Sequence, residues 1–152
     1  MHVTEKPSLD LDAFLPYRLA TVAHAMSRAL AGVYEEKFGV TIPEWRVLAN
    51  LGRRSMGAGE LADASSLDKP AVTRALQRLE ARGLVARETP EGDRRRAHLA
   101  LTPKGRTLYR QIAGLALGWE AKVLADLSAA DRKALDVALE KLKARLVQGE
   151  FQ

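Results

Sequence analysis

The stretch GELADASSLDKPAVTRALQRLEARGLVARETPEGDRRRAHLALTPKG, residues 59–105, carries the pattern from which the architecture can be read. GELADASS reads as a short helix with Leu61 and Ala62 turned inward, and Ser66-Leu67-Asp68 leads into a second helix over 69–82 that Gly83 stops. LVARET and AHLAL come next as short β-prone runs, separated by the polar Pro90-Glu91-Gly92-Asp93 bend, which predicts a hairpin with a longer loop. Two short helices joined tightly are the make-up of a helix-turn-helix, and here a hairpin follows directly.

The outward side of the second helix is set by its pitch. Turning about 100° per residue from an inward Val72, Leu76 and Leu79 join the buried face, while Pro70, Thr73, Arg74, Gln77, Arg78 and Ala81 fall opposite it or flank it. Arg74 and Gln77 are side chains able to make two-pronged contacts to guanine and adenine edges, and Thr73 is able to bond a base or touch a thymine methyl. Lys69 and Arg78 suit phosphates, which position a protein without reporting sequence. Beside this helix the hairpin tip carries Arg94 and Arg95, placed to reach a flanking minor groove, where a narrow A·T tract concentrates negative potential. Asp93 among them reads as a brace for Arg95 or for the amides of the bend.

Charge agrees with this placement. Residues 69–106 hold ten Lys/Arg against four Asp/Glu, a local balance of +6 in a chain whose formal net charge is +5. A basic middle between near-neutral ends marks a localised polyanion contact; its alternative is a solvated charged face.

Toward the N-terminus, Leu15, Leu19, Val22, Met26, Ala29 and Val33 alternate steps of four and three, predicting a long first helix over 10–37 with one buried seam. Thr41-Ile42-Pro43-Glu44 reads as a capping box with an early proline, opening a helix to about residue 54, and SMGAG as a loop. Thr102-Pro103 starts another helix, to about residue 126, with Leu108, Ile112, Leu115 and Trp119 in register. Ser128 to Asp131 resembles a second capping box, before a last helix to 147 in which Leu135, Ala138, Leu142 and Leu146 form a narrow stripe. The expected fold is one domain, mainly α with a small β-hairpin wing: a winged helix-turn-helix lobe at 42–101 flanked by terminal helices at 10–37 and 103–147. Their apolar stripes exceed what a small central module covers, which predicts pairing into a homodimer; the alternative is that they fold back on their own domain.

Several function classes are excluded or disfavoured. Without cysteine there is no disulfide, thiolate nucleophile, cysteine-ligated metal or direct thiol sensing. No cofactor or metal is expected. His2, His24 and His98 lie far apart, with no H-E-x-x-H, phosphate loop or nucleophile elbow, so an enzyme is not expected. No apolar run approaches the roughly 20 residues of a membrane span, and MHVTEKPSLDLD carries acids where a signal peptide carries basic and then apolar residues, so the expectation is a cytoplasmic protein with no membrane partner.

With these marks together, the sequence resembles the MarR (multiple antibiotic resistance regulator) family of winged helix-turn-helix regulators over nearly its whole length. The matching segments are TIPEWRVL, GELADASSLDKPAVTRALQRLEARGLVAR, and Asp93-Arg94-Arg95 followed by Leu101-Thr102-Pro103-Lys104-Gly105. The resemblance implies a two-fold homodimer built from the terminal helices, bound to double-stranded DNA at a pseudo-palindromic operator as a repressor, with recognition helices in major grooves and wings in minor grooves. It carries the wing pair onto Asp93 and Arg95 and the recognition helix onto 69–78. It also implies release by a small aromatic or anionic effector; LPYRLATVAHAMSRAL is similar to members governing aromatic catabolism, some answering to acyl-CoA thioesters. Tyr17, Arg18 and His24 on the first helix and Trp45 and Arg46 on the second are the candidate lining, supplying aromatic walls and cations for a carboxylate. Each also has a structural reading, Trp45 as core above all. The competing function is a winged-helix protein-interaction module with no operator of its own.

Overall fold

The computed structural model describes residues 7–89 and 97–149, so Asp93, Arg94 and Arg95 of the expected wing tip lie outside the described residues. The elements run α1 (Leu15–Phe38), α2 (Ile42–Arg53), α3 (Ala58–Ser65), α4 (Lys69–Ala81), β1 (Val85–Glu88), β2 (His98–Leu101), α5 (Pro103–Val123) and α6 (Ala129–Val147). They fall into two compact units, one within residues 1–115 and one within 116–152, with α5 running from the first into the second.

The helix boundaries obey local chemistry. Thr41 accepts from the Glu44 amide at 3.3 Å while the Glu44 carboxylate accepts from the Thr41 amide at 3.2 Å, so the capping box expected for α2 is made in both directions. Ser128 and Asp131 make the same exchange at the start of α6, at 3.1 and 3.2 Å. Asp68 caps α4 by accepting from Ala71 at 2.7 Å. Gly83 stops α4 with φ +70, and Gly39 ends α1 in the same left-handed region at φ +62.

The first helix begins five residues later than its periodicity suggests. Pro16 fits only the opening turn of a helix, and Asp10–Ala13 instead form a turn closed by Ala13 N–H on Asp10 O and Asp12 N–H on the Asp10 carboxylate. Its expected seam is also not buried within the chain: Leu15, Leu19, Val22 and Ala29 are exposed and Met26 and Val33 half-buried, whereas Ala31 and Tyr34 on a neighbouring face enter the core.

That core gathers Val47, Leu48 and Leu51 of α2, Leu61 and Ala62 of α3, and Val72, Ala75, Leu76 and Leu79 of α4. Leu84, Val85 and Leu99 of the hairpin and Ile112 of α5 complete it. The hairpin is antiparallel, with Val85 opposite Leu101 and Glu88 opposite His98. Of the expected loop SMGAG, Ala58 and Gly59 already belong to α3, and the connection left over residues 54–57 contributes more than its composition indicates. Met56 donates to Leu99 O at 3.1 Å and accepts from Leu99 N–H at 2.7 Å, a third short rung on the sheet edge.

A tight joint sets α5 against the end of α4. The Thr102 hydroxyl donates to Gly83 O at 2.6 Å and accepts from Gly105 N–H at 3.0 Å, and Thr102 N–H donates to Leu84 O at 3.1 Å. A Cβ on Gly105 would stand 1.9 Å from Leu84 O, so residue 105 must be glycine for the strand and helix to approach this closely.

In the second unit, α5 ends at Val123, and Arg132 donates to Leu124 O at 2.6 Å, supplying a cation at a helix C-terminus. No described side chain of α6 is buried; Leu135, Leu142 and Leu146 of its expected stripe are all exposed. Among the described residues no helix is long and apolar enough to cross a membrane.

Candidate nucleic-acid interface

The inward positions of α4 are fixed by packing: Val72, Leu76 and Leu79 are each at most 2% exposed, so the opposite face is turned to solvent. Lys69, Pro70, Thr73, Arg74, Gln77, Arg78 and Ala81 are all exposed, as the helical pitch requires. The side chains capable of reading base edges, Thr73, Arg74 and Gln77, therefore share one free surface with the cationic Lys69. Thr73 directs its hydroxyl to Lys69 O at 3.0 Å, a local bond that leaves its methyl group and oxygen lone pairs available.

Around this face the fold arranges cations that no local sequence pattern singles out. Arg87 of β1 lies beside α4, with its Nε 3.3 Å from a carboxylate oxygen of Glu80. It lines a cleft of about 340 Å³ together with Ala58 and Gly59 of α3 and Lys69, Val72, Thr73, Leu76 and Gln77 of α4. Lys69 and Arg87 line this cleft together with the small Ala58 and Gly59, and two cations beside side chains that project little suit a sugar-phosphate strand.

Two further arginines near the end of α4 turn toward the α1–α2 junction. Arg78 sets Nη1 3.7 Å from Oε1 of Glu44, a carboxylate buried by the α2 cap, which orients the cation expected at a phosphate. Arg82, one turn on, donates Nη1 to Gly39 O and Nη2 to Phe38 O, both at 3.0 Å. The first turn of α3 is held by an ion pair between Arg54 and Glu60, and the guanidinium keeps the Glu60 carboxyl below its ordinary range.

The candidate effector residues divide into two groups. Tyr17, Arg18 and His24 are exposed along α1. Trp45 is half-buried, with its ring centroid 5.7 Å from Tyr34 and 6.2 Å from Tyr109 of α5. Arg46 donates to the Ser27 hydroxyl at 3.3 Å, which brings it against α1 one turn beyond His24. Burial pushes the Tyr34 phenol up to about 12, with Glu35 adding to the rise and Arg46 opposing it. Trp45 thus works first as a packing residue between α1 and α5, and Arg46 is the candidate held closest to the first group. Tyr34 and Tyr109 are absent from the lining expected from sequence. Only the adjacency of their helices to α2 reveals them.

Comparison with known proteins points one way. The sequence profile of the MarR family matches residues 38–96. An HTH-type transcriptional repressor of Mycobacterium bovis is 32% identical over 132 residues, covering 86% of this chain and 94% of the relative. Among solved structures, a MarR family protein of Mycobacterium tuberculosis in complex with salicylic acid is 30% identical with a TM-score of 0.71, covering 86% of this chain and 96% of that one. NadR in complex with 4-hydroxyphenylacetate is 26% identical with a TM-score of 0.76, covering 95% of this chain and 100% of that one.

Proposed function

The chain belongs to the MarR family of DNA-binding transcriptional regulators, and from that membership we propose that it is a homodimeric repressor released from its operator by a small aromatic carboxylate. The observation carrying the DNA-reading half is the free face of α4, where Thr73, Arg74 and Gln77 are exposed together with Lys69, beside a cleft that Lys69 and Arg87 both line. In this reading Arg74 and Gln77 select bases in the major groove, while Lys69, Arg78 and Arg87 hold phosphates; Pro70 lets the backbone of the first turn lie close to the strand. Arg94 and Arg95 are assigned to the flanking minor groove, with Asp93 bracing Arg95, from their charge and place in the chain.

Pairing is supported by apolar side chains left in water at both ends of the chain: Leu11, Phe14, Leu15, Leu19 and Val22 near the N-terminus, and Leu135, Leu139, Leu142 and Leu146 on α6. Single exposed apolar residues are ordinary, but a heptad-like row of them is the signature of a helix awaiting a partner. Two copies related by a two-fold axis then present two reading helices to a pseudo-palindrome, one helical turn apart. Such a regulator works in the cytoplasm, where its DNA lies.

The effector class is taken from the relatives' ligands, salicylic acid and 4-hydroxyphenylacetate, each a ring bearing a carboxylate. Trp45 with Tyr109 offers a stacking wall and Arg46 a two-pronged carboxylate partner.

The test is fluorescence anisotropy of the full chain on a duplex it enriches from a random pool, repeated across salt and with salicylate added. Log affinity is expected to fall linearly with log salt, by about 0.9 per phosphate neutralised, and one dimer to bind per site. Salt-independent binding, or a monomer bound to a half-site, would overturn the reading. An affinity that salicylate and related acids leave unchanged would remove the effector class but not DNA recognition.

A further inference from the structure

Three elements that do not touch in sequence meet at the C-terminal end of α4. The last carbonyls of α1 need donors, as every helix C-terminus does. The lysine in its own last turn does not serve them, because Lys37 Nζ lies over the Phe38 ring, 5.4 Å from its centroid. The donors come instead from Arg82, 43 and 44 residues away, whose two terminal nitrogens reach Gly39 O and Phe38 O at 3.0 Å each. On its backbone side, Arg82 O accepts from Lys104 Nζ of α5 at 3.0 Å, and the Arg82 amide closes α4 on Arg78 O. One residue therefore ties α1, α4 and α5 together.

We propose that Arg82 is a positioning residue for DNA recognition: its fork on the end of α1 sets the tilt at which α4 presents Thr73, Arg74 and Gln77, without Arg82 itself touching DNA. The geometry favours this over a phosphate contact. Taking Val72 as inward, Arg82 lies about 280° around α4 and Arg78 about 240°, on one flank, while the reading side chains lie between about 100° and 200°. Arg78 is held on that flank by Glu44 and Arg82 by the α1 carbonyls, so α4 is anchored at two successive turns along the side facing the α1–α2 junction. A planar guanidinium fixes direction as well as distance when both prongs are engaged, which a lysine ammonium cannot do. A small rotation of α4 moves its exposed side chains relative to a groove and spoils base-edge contacts while leaving the number of phosphate contacts unchanged.

The proposal rests on α4 being the reading helix, and the test separates the two. Wild type, Arg82→Ala and Arg82→Lys full chains are titrated against a duplex enriched by wild type and against a scrambled duplex of the same composition, over a range of salt. Arg82→Ala is expected to bind the enriched duplex about tenfold more weakly, the scrambled duplex within twofold of wild type, and with the same salt slope; Arg82→Lys should recover part of the loss. Equal losses on both duplexes, whether with a slope smaller by about one or with an unchanged slope and a lower melting temperature, would overturn it. The first would make Arg82 a phosphate contact and the second a merely structural residue. Unchanged binding to both duplexes would overturn it as well. If wild type enriches no sequence, the reading of α4 fails, and hydrogen exchange of the free proteins still decides the clamp. Arg82→Ala should speed exchange by tenfold or more at the Gly39, Arg82 and Gly83 amides, and unchanged rates there would refute it.

Discussion

Replacing Gly105 with alanine probes the joint that sets α5 against the end of α4 and the start of the hairpin. The new Cβ would stand 1.9 Å from Leu84 O and 2.9 Å from Leu84 C, both backbone atoms that cannot rotate away. Real Cβ contacts do not fall below 3.0 Å, so α5 and the start of the hairpin must part by about 1 Å. Leu84 O is also the acceptor for Thr102 N–H, and its neighbour Gly83 O is the acceptor for the Thr102 hydroxyl, so both bonds stretch with that movement. Two weakened hydrogen bonds cost about 1 kcal/mol each, and forced overpacking about 1–3 kcal/mol. Alanine's better helix propensity returns at most about 1 kcal/mol. The net expectation is a destabilisation of about 2–4 kcal/mol. Urea unfolding followed by far-UV circular dichroism, at one fixed chain concentration because pairing adds to stability, measures it. Gly114→Ala is the control, since no atom lies within 4 Å of its Cβ and the helix term stands alone. Should Gly105→Ala match or exceed wild-type stability, helix propensity would dominate and the close approach of α5 to Leu84 would not exist.

Three other perturbations draw on the same geometry. Arg74→Ala and Gln77→Ala are each expected to relax preference at one base position per half-site by about 1–3 kcal/mol; re-selection from a random pool that returns the wild-type motif unchanged would confine both residues to the backbone. Arg87→Ala should weaken enriched and scrambled duplexes alike, reduce the salt slope by about one, and be partly rescued by adding Glu80→Gln, because the lost cation leaves that carboxylate facing phosphate. Tyr34 links stability to high pH: its phenol, raised from 10.0 to about 12, is kept neutral by the fold, so its contribution is whole below pH 10 and lost as pH climbs toward 12. About 2 kcal/mol of that loss should have appeared by pH 11.5. Urea unfolding of Tyr34→Phe should show a decline smaller by that amount, and parallel curves would contradict a buried, neutral phenol.

What the sequence makes legible is whatever depends on neighbours within one or two turns. Both capping boxes and the outward face of α4 rest on spacings of three or four residues, and these, like the glycine stop after α4, appear where the pattern places them. The start of α1 is not legible in the same way, because apolar periodicity continues through Leu11 while Pro16 is tolerated only in a helix's first turn. Nothing local announces that Arg82 caps a helix 43 residues upstream, that Met56 completes the hairpin edge, or that Arg87 lines one cleft with Lys69. Those contacts are fixed by the packing of α2, α3 and α4, whose outcome a one-dimensional pattern does not contain.

The residues that mark the chain's family just after the hairpin are mechanical. Leu101 is partly buried at the base of the hairpin, Thr102 bonds the end of α4 and caps α5, Lys104 holds Arg82 O, and Gly105 admits Leu84 O. All four act at one place, where α5 and the end of α1 meet the end of α4. A substitution there has two ways to impair DNA binding, by unfolding the lobe or by turning α4. The ratio of affinities for enriched and scrambled duplexes tells them apart, because unfolding lowers both in proportion and reorientation lowers only the first. Side chains on the free face of α4 have no such structural burden, since exposed Thr73, Arg74 and Gln77 support no core contact. In the proposed reading their identity is free to track the DNA sequence, while the joint beneath them stays constrained by a backbone oxygen that leaves no room for one methyl group.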